Sequence, residues 1–205
     1  PISEAQRLNG VTIQWFQRSR MEYRNGQVVL AAVGEELFDG GDREGRFPAD
    51  GVFRLVWDAN PGVAQSLGKG TENAQIIQMA EQAFQHGRMF WRSGKDIVYV
   101  LYEDGGWEAM QNPYKPGDRT SWGYSPPPGM YEPVLAFGKV WRTFLGGPNG
   151  KLGWATQPQH DYLGTAQDFQ HGVMLWSSEL WVYVMSGCCH WDRYVDTRPR
   201  EGIDP

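Results

Sequence analysis

Apolar and polar positions alternate with a period of two in two long stretches of the chain, and that period marks strands. In the first stretch Met89 and Trp91 share one face of a strand, and Val98-Tyr99-Val100-Leu101-Tyr102 reads as its return. In the second, Met174 and Trp176 match the strand and Val182-Tyr183-Val184-Met185 the return. Near the start, Val11 to Tyr23 reads as a strand carrying Met21 and Tyr23 on one face. Asn25-Gly26 is its hairpin turn, and Val28 to Val33 runs back. The Met/Trp face is apolar in all three places and is expected in a core. The opposite face holds Phe90 and Leu175 but Glu22 in the first stretch, so two copies pack against each other through it or cover it with helices.

A period of four appears at Phe53/Trp57 and again at Phe137/Trp141, where one short helix is predicted each time. Asn60-Pro61-Gly62 should end the first. Residues 73–82 have helical propensity, but their counterparts around Pro158 do not, so only a turn or short helix is expected there. Phe84 has the opposite parity to Met89, as Phe169 has to Met174. A bulge at Gly87 and Gly172 would return each pair to one face.

These stretches are copies. Phe84-Gln85-His86-Gly87 recurs as Phe169-Gln170-His171-Gly172, and Phe16-Gln17 begins a third, more distant copy. Trp57 and Trp141 stand 84 apart, Phe84 and Phe169 85, Trp107 and Trp191 84. Landmarks that keep step this way indicate duplication. The fold class predicted is β-rich α+β, built of tandem repeat modules. Each would be a short helix plus a two- or three-stranded antiparallel meander with a glycine bulge. The division expected is a truncated first repeat with a Gly/Asp-rich loop at 1–51, a second repeat at 52–110, a Pro-rich linker at 111–133, a third repeat at 134–194 and a tail at 195–205. The acidic residues of the first loop lack calcium-loop spacing and read as a solvated connection.

Composition narrows the function. The chain has 205 residues, 40% hydrophobic, with ten Trp and a net charge of -5. No basic run points to nucleic acid, and no stretch approaches a membrane span, so neither a nucleic-acid partner nor membrane insertion is expected. No nucleophile elbow or phosphate loop occurs. Catalytic residues, metal ligands and cofactors are therefore not assigned, and the chain is read as not an enzyme. His86 and His171 occupy one repeat position, which favours a structural contact over a ligand. Cys188-Cys189-His190 falls where the sister copy has a plain Asp-Gly-Gly turn. It is left open as chemically silent, a vicinal disulfide between Cys188 and Cys189, a metal site, or a Cys-His nucleophile. The aromatic residues are the better lead, because exposed rings mark binding patches. Trp154, Tyr162, Trp191, Trp107 and Trp122 are the candidates, with Trp154 and Tyr162 expected to be the most exposed.

Leu67-Gly68 followed by Phe84, Gly87, Met89 and Trp91, and Leu152-Gly153 followed by Phe169, Gly172, Met174 and Trp176, resemble the LGFP repeat of bacterial secreted and cell-wall-associated proteins. Repeat regions of uncharacterised extracellular Chloroflexi-type proteins look similar. Lys69-Gly70 and Trp154-Ala155 stand where the repeat has Phe-Pro. The resemblance implies an extracellular or cell-envelope location and non-catalytic binding or anchoring, with cell-envelope polysaccharide as the partner. A protein-interaction module, or an accessory region of a larger secreted enzyme, is the alternative.

Overall fold

The computed structural model describes Ala49, residues 51–187 and 190–197, and, of the first 48 residues, the strands alone. The chain divides into two units, Pro1–Gly45 and Arg46–Pro205. In the first, β1 (Gln6–Leu8), β2 (Val11–Phe16), β3 (Ser19–Arg24) and β4 (Gln27–Ala31) form an antiparallel sheet in sequence order. The stretch expected as one strand from Val11 to Tyr23 is two, paired from Thr12↔Tyr23 to Phe16↔Ser19.

In the second unit, α1 (Val52–Ala59) and α2 (Pro61–Leu67) precede β5 (Gln75–Phe84), β6 (Gly87–Arg92), β7 (Ile97–Tyr102) and β8 (Trp107–Gln111). Then α3 (Leu135–Thr143) precedes β9 (His160–Phe169), β10 (Gly172–Trp176), β11 (Trp181–Ser186) and β12 (His190–Val195). All eight strands belong to one antiparallel sheet in the order β12-β11-β10-β9-β5-β6-β7-β8. The sheet curls into a nearly closed barrel. Its ends meet where the Trp191 N–H donates to Gly105 O at 2.9 Å and the Trp191 indole to Tyr102 O at 2.8 Å.

This corrects the tandem-module expectation. The two copies are the halves of one barrel, each with four strands instead of two or three. They join through β5 and β9, the segments for which only a turn or short helix was expected. Gln78 pairs with Leu163, 85 residues further on, and the pairs Gln75↔Ala166 and Glu81↔His160 exchange under the same offset. A pseudo-two-fold axis therefore runs through the centre of this strand pair. Local propensity misread β5 because its partner is supplied from the other half of the chain.

The glycine bulge is also corrected. Phe84 ends β5, Gly87 begins β6, and the two residues pair across a tight hairpin, so chain reversal puts Phe84 and Met89 on one face. The glycine is needed for another reason. A Cβ on Gly87 would lie 2.0 Å from Leu101 O and 2.8 Å from a Leu152 methyl. On Gly172 it would lie 2.0 Å from Met185 O and 2.7 Å from a Leu67 methyl. Each hairpin thus presses against the Leu-Gly of the opposite half.

That clasp repeats across the pseudo-axis. Gln170 N–H donates to Lys69 O (2.8 Å) and His171 N–H to Leu67 O (2.9 Å); Gln85 N–H donates to Trp154 O (2.9 Å) and His86 N–H to Leu152 O (3.1 Å). The helices cross over with it. Phe53, Val56 and Leu67 pack on Met174, Val182 and Val184 of the other half. Phe137, Val140, Trp141 and Leu152 pack on Met89, Val98 and Val100. The remaining face of both half-barrels lines the barrel interior, where Phe90 and Tyr183 meet at 4.7 Å between ring centroids. A meander buried on both faces explains why so many strand positions are apolar.

Candidate binding face

Residues 112–133 do not hang as a free connection. They form a strap laid over α3. Asn112 ends the last ladder by donating its side-chain amide to Asp96 at 2.8 Å. Asp118 receives the Lys139 ammonium at 2.6 Å, Leu135 N–H donates to Thr120 O, and the Arg142 guanidinium sits 3.4 Å above the Trp122 ring. Glu132 closes the far end, accepting from the Trp122 N–H (2.7 Å) and the Ser121 hydroxyl (2.8 Å). The Tyr131 N–H donates to Ala155 O. Within this loop, Met130 N–H donates to Pro127 O around Gly129 at φ 77°, so Pro128-Gly129 occupies the centre of a tight turn. Both ends are anchored and the tip is held outward.

The strap gathers aromatic rings. Tyr124 meets Trp141 edge-on at 5.4 Å and Trp154 at 6.1 Å, and Trp141 meets Trp154 at 5.3 Å. Trp141 is buried and donates its indole N–H to Gly153 O at 2.7 Å. Tyr124 on this base is 37% exposed, Tyr131, whose N–H bonds Ala155 O, 42%, and Phe144, which caps the C-terminal end of α3, 60%. They are three of the seven exposed large apolar side chains among the described residues, the others being spread over Leu55, Ile76, Leu163 and Val195. On the neighbouring side of α3, a groove of about 220 Å³ runs between Trp91 and Tyr114, rimmed by Gln78, Gln159 and Asp161.

The aromatic candidates separate. Trp154 and Trp122 belong to this face. Trp154, expected as most exposed, is half-buried and donates its N–H to Gln85 Oε1 at 2.8 Å. Tyr162, its companion in that expectation, lies half-buried on the inner face of β9. Trp107 and Trp191 are half-buried at the seam between the barrel ends, where the Trp107 indole reaches Ser186 O at 3.5 Å. Tyr131 and Phe144 were not singled out from sequence, and Tyr124 only as one of nine aromatic residues beyond what two small cores need. Aromatics bracketing a proline run were the available signal. His86 and His171 take backbone roles in the clasp, and the His86 ring meets Glu103 at 3.1 Å. Cys188, Cys189, most of the acidic loop at 37–51 and residues 198–205 lie outside the described residues.

Polar groups inside the barrel collect at its two ends. At one, Arg92, 1% exposed, makes a two-pronged bond to Asp168 at 3.0 and 2.8 Å, with Lys95 at 2.8 Å from the same carboxylate and Glu72 3.5 Å from Arg92. Burial opposes ionisation of Asp168, but hydrogen bonds with Glu72, Arg92 and Lys95 outweigh it and bring the carboxyl down to about 2. At the other end, Arg88 bonds Glu179 at 2.7 Å and approaches the buried Glu81 at 3.6 Å, while the Ser178 hydroxyl donates to Glu81. Burial pushes Glu81 above the ordinary glutamate range despite Ser178 and Arg88. Each cluster ties a hairpin of one half to a turn of the other, with the charges reversed: Asp168 faces Arg92 and Lys95 at one end, Arg88 faces Glu179 at the other. These ion pairs are spent on closure of the barrel. Among the described residues no three His, Cys, Asp or Glu side chains converge as metal ligands, and no helix is long and apolar enough to cross a membrane.

The fold and this face define an internally two-fold, nearly closed antiparallel barrel with one helix strapped and ringed by aromatics. No protein-family model matches the chain, and neither curated proteins nor solved structures yield a match. The LGFP-like resemblance is therefore corrected. The Leu-Gly and Phe-x-x-Gly residues that carried it are two sides of the clasp between half-barrels, and the carbohydrate-binding, cell-wall reading attached to that family does not carry over.

Proposed function

We infer that this protein is a non-catalytic interaction module whose contact face is the strapped side of α3, and that its partner is a protein. The observation that carries the reading is exposed Tyr124 set edge-on against Trp141 and Trp154, with Tyr131 exposed on the same strap beside Ala155, the Trp122–Arg142 stack fixing strap to α3, and Phe144 exposed at the C-terminal end of α3. Aromatic and arginine side chains held rigid at a surface are the composition of binding hot spots, because little conformational entropy is lost when a partner covers them. A strap anchored by backbone and carboxylate bonds keeps these rings in place before contact.

A photo-crosslinking residue at position 144 tests this in the producing cells, with position 76 on β5 as an equally exposed control. The expected result is a protein adduct from position 144 alone, lost on Tyr124→Ser plus Tyr131→Ser without loss of fold. Equal labelling from both positions, or labelling indifferent to the two tyrosines, would remove the face from consideration.

A further inference from the structure

The groove between Trp91 and Tyr114 also breaks the pseudo-symmetry. Its floor is a row across three strands, in which Trp91 on β6 pairs with Ala80 on β5 and Ala80 with Asp161 on β9. The same row in the other half reads Trp176, Thr165 and Ile76. The tryptophan is kept, the middle residue is cut back to a methyl group, and a carboxylate stands in place of an alkyl chain. The wall differs as well. Leu135 lines the groove at φ 50°, a conformation disfavoured for any residue with a Cβ. Its twin, under the offset that relates Trp57 to Trp141, is Gly51 at φ 53°. One half uses glycine where the backbone turns left-handed; the other holds a leucine there and gains an apolar wall.

The chemistry of the groove selects its ligand. Asp161 is the charged side chain that lines it. Its carboxylate accepts the Gln159 amide at 3.0 Å, and among the described residues no cation pairs with it. On the Trp91 side the hydrogen bonds are already used. The Trp91 indole donates to Asp96 at 2.8 Å and the Tyr114 hydroxyl to Asp118 O at 3.3 Å. The Asn112 amide is held at both ends, by Asp96 and by the Tyr114 N–H. A ligand bringing hydroxyls or bare N–H groups to that side would leave them unpaired. A methylated ammonium has none to pair: its charge lies beneath methyl groups, and such a cation is attracted to aromatic faces. The volume of about 220 Å³ is below the roughly 300 Å³ at which drug-sized sites begin. We propose that this groove binds a small quaternary ammonium compound, with its methylated head against Trp91 and Tyr114 and its charge balanced by Asp161. The site does not depend on the protein-contact face.

Choline is the probe, and dimethylbutanol, in which carbon replaces the nitrogen, is its neutral control. With the full chain, choline chloride should shift the Trp91 indole N–H nuclear magnetic resonance signal saturably, measured against sodium chloride at equal ionic strength. The neutral alcohol should bind more weakly by about tenfold. Asp161→Asn should weaken choline by a similar factor. Leu135→Gly, which gives α3 the residue its twin uses, should weaken it too while circular dichroism stays unchanged. No saturable shift at tens of millimolar, equal binding of the neutral alcohol, or choline binding indifferent to Asp161→Asn overturns the proposal. So does methyl glucoside displacing choline at equal concentration, which would assign the groove to a neutral polyol.

Discussion

Asp168→Asn is the sharpest test of how the half-barrels are locked. The substitution keeps side-chain shape and one acceptor oxygen but removes the charge that Arg92 and Lys95 share. Arg92 is then a cation 1% exposed, left with Glu72 at 3.5 Å and the Tyr99 hydroxyl at 3.4 Å. Removing one partner of a buried ion pair costs about 3–5 kcal/mol. Glu72 remains close enough to take part of the load, which places the loss near the lower bound, about 3 kcal/mol. Arg92→Met should cost less, since Asp168 keeps Lys95. The double variant should cost less than the two singles together, because the stranded cation is gone. Urea unfolding at pH 7, followed by far-ultraviolet circular dichroism, measures all three, with unchanged slopes as the check on two-state behaviour. The sign of the pH dependence is fixed. Asp168 is lowered to about 2 in the fold, so its contribution is present above the ordinary 3.8 and is lost as pH falls through about 2. The difference between wild type and Asp168→Asn should shrink below pH 4. A loss under about 0.5 kcal/mol at pH 7, the usual scatter of surface substitutions, or a loss that does not change between pH 7 and pH 2.5, would refute the locking role.

Other variants probe the remaining parts. Glu81→Gln should raise the urea midpoint at pH 8 relative to wild type and leave it nearly unchanged at pH 4. A carboxyl raised by burial loses its favourable contribution as pH rises through the folded value. Gly87→Ala and Gly172→Ala should each destabilise by about 2 kcal/mol or more, as overpacking against backbone does, and by similar amounts because the two contacts are twins. Leu67→Ala and Leu152→Ala should each cost about 2–5 kcal/mol in the same urea assay, both side chains being fully buried in the clasp. A clear inequality within either pair of twins would show that the halves carry unequal loads.

Much of the strand pattern was legible because its causes are local. Period-two alternation at Met89/Trp91 and Met174/Trp176 reports burial of a face, and Phe53/Trp57 reports a helix, whatever each face meets. What it meets was not legible. Phe53 would fit beneath either copy of the meander, since the copies are nearly alike, and only chain path decides that α1 covers β10 and β11. The same ambiguity turned two half-barrels into modules in series. Tyr162 was misplaced because β9 was not recognised. Its ring points into the barrel only once that segment pairs with β5.

The duplication also separates scaffold from function. Features obeyed by both halves, such as the clasp, the crossed helices and the seam tryptophans, answer to the common need of closing the barrel. They would survive in any molecule of this architecture. Features that break the pseudo-symmetry have no such explanation. Lys139 and Arg142 stand on α3 where α1 has Leu55 and Asp58. They receive Asp118 and Trp122 of the strap, and with them the exposed tyrosines. A sequence selected only for fold would gain nothing from holding Tyr124, Tyr131 and Phe144 in water, since each would contribute more if buried. Their exposure along the strap and at the C-terminal end of α3, with Tyr124 seated on buried Trp141, is what a contact face requires and what a folding core does not.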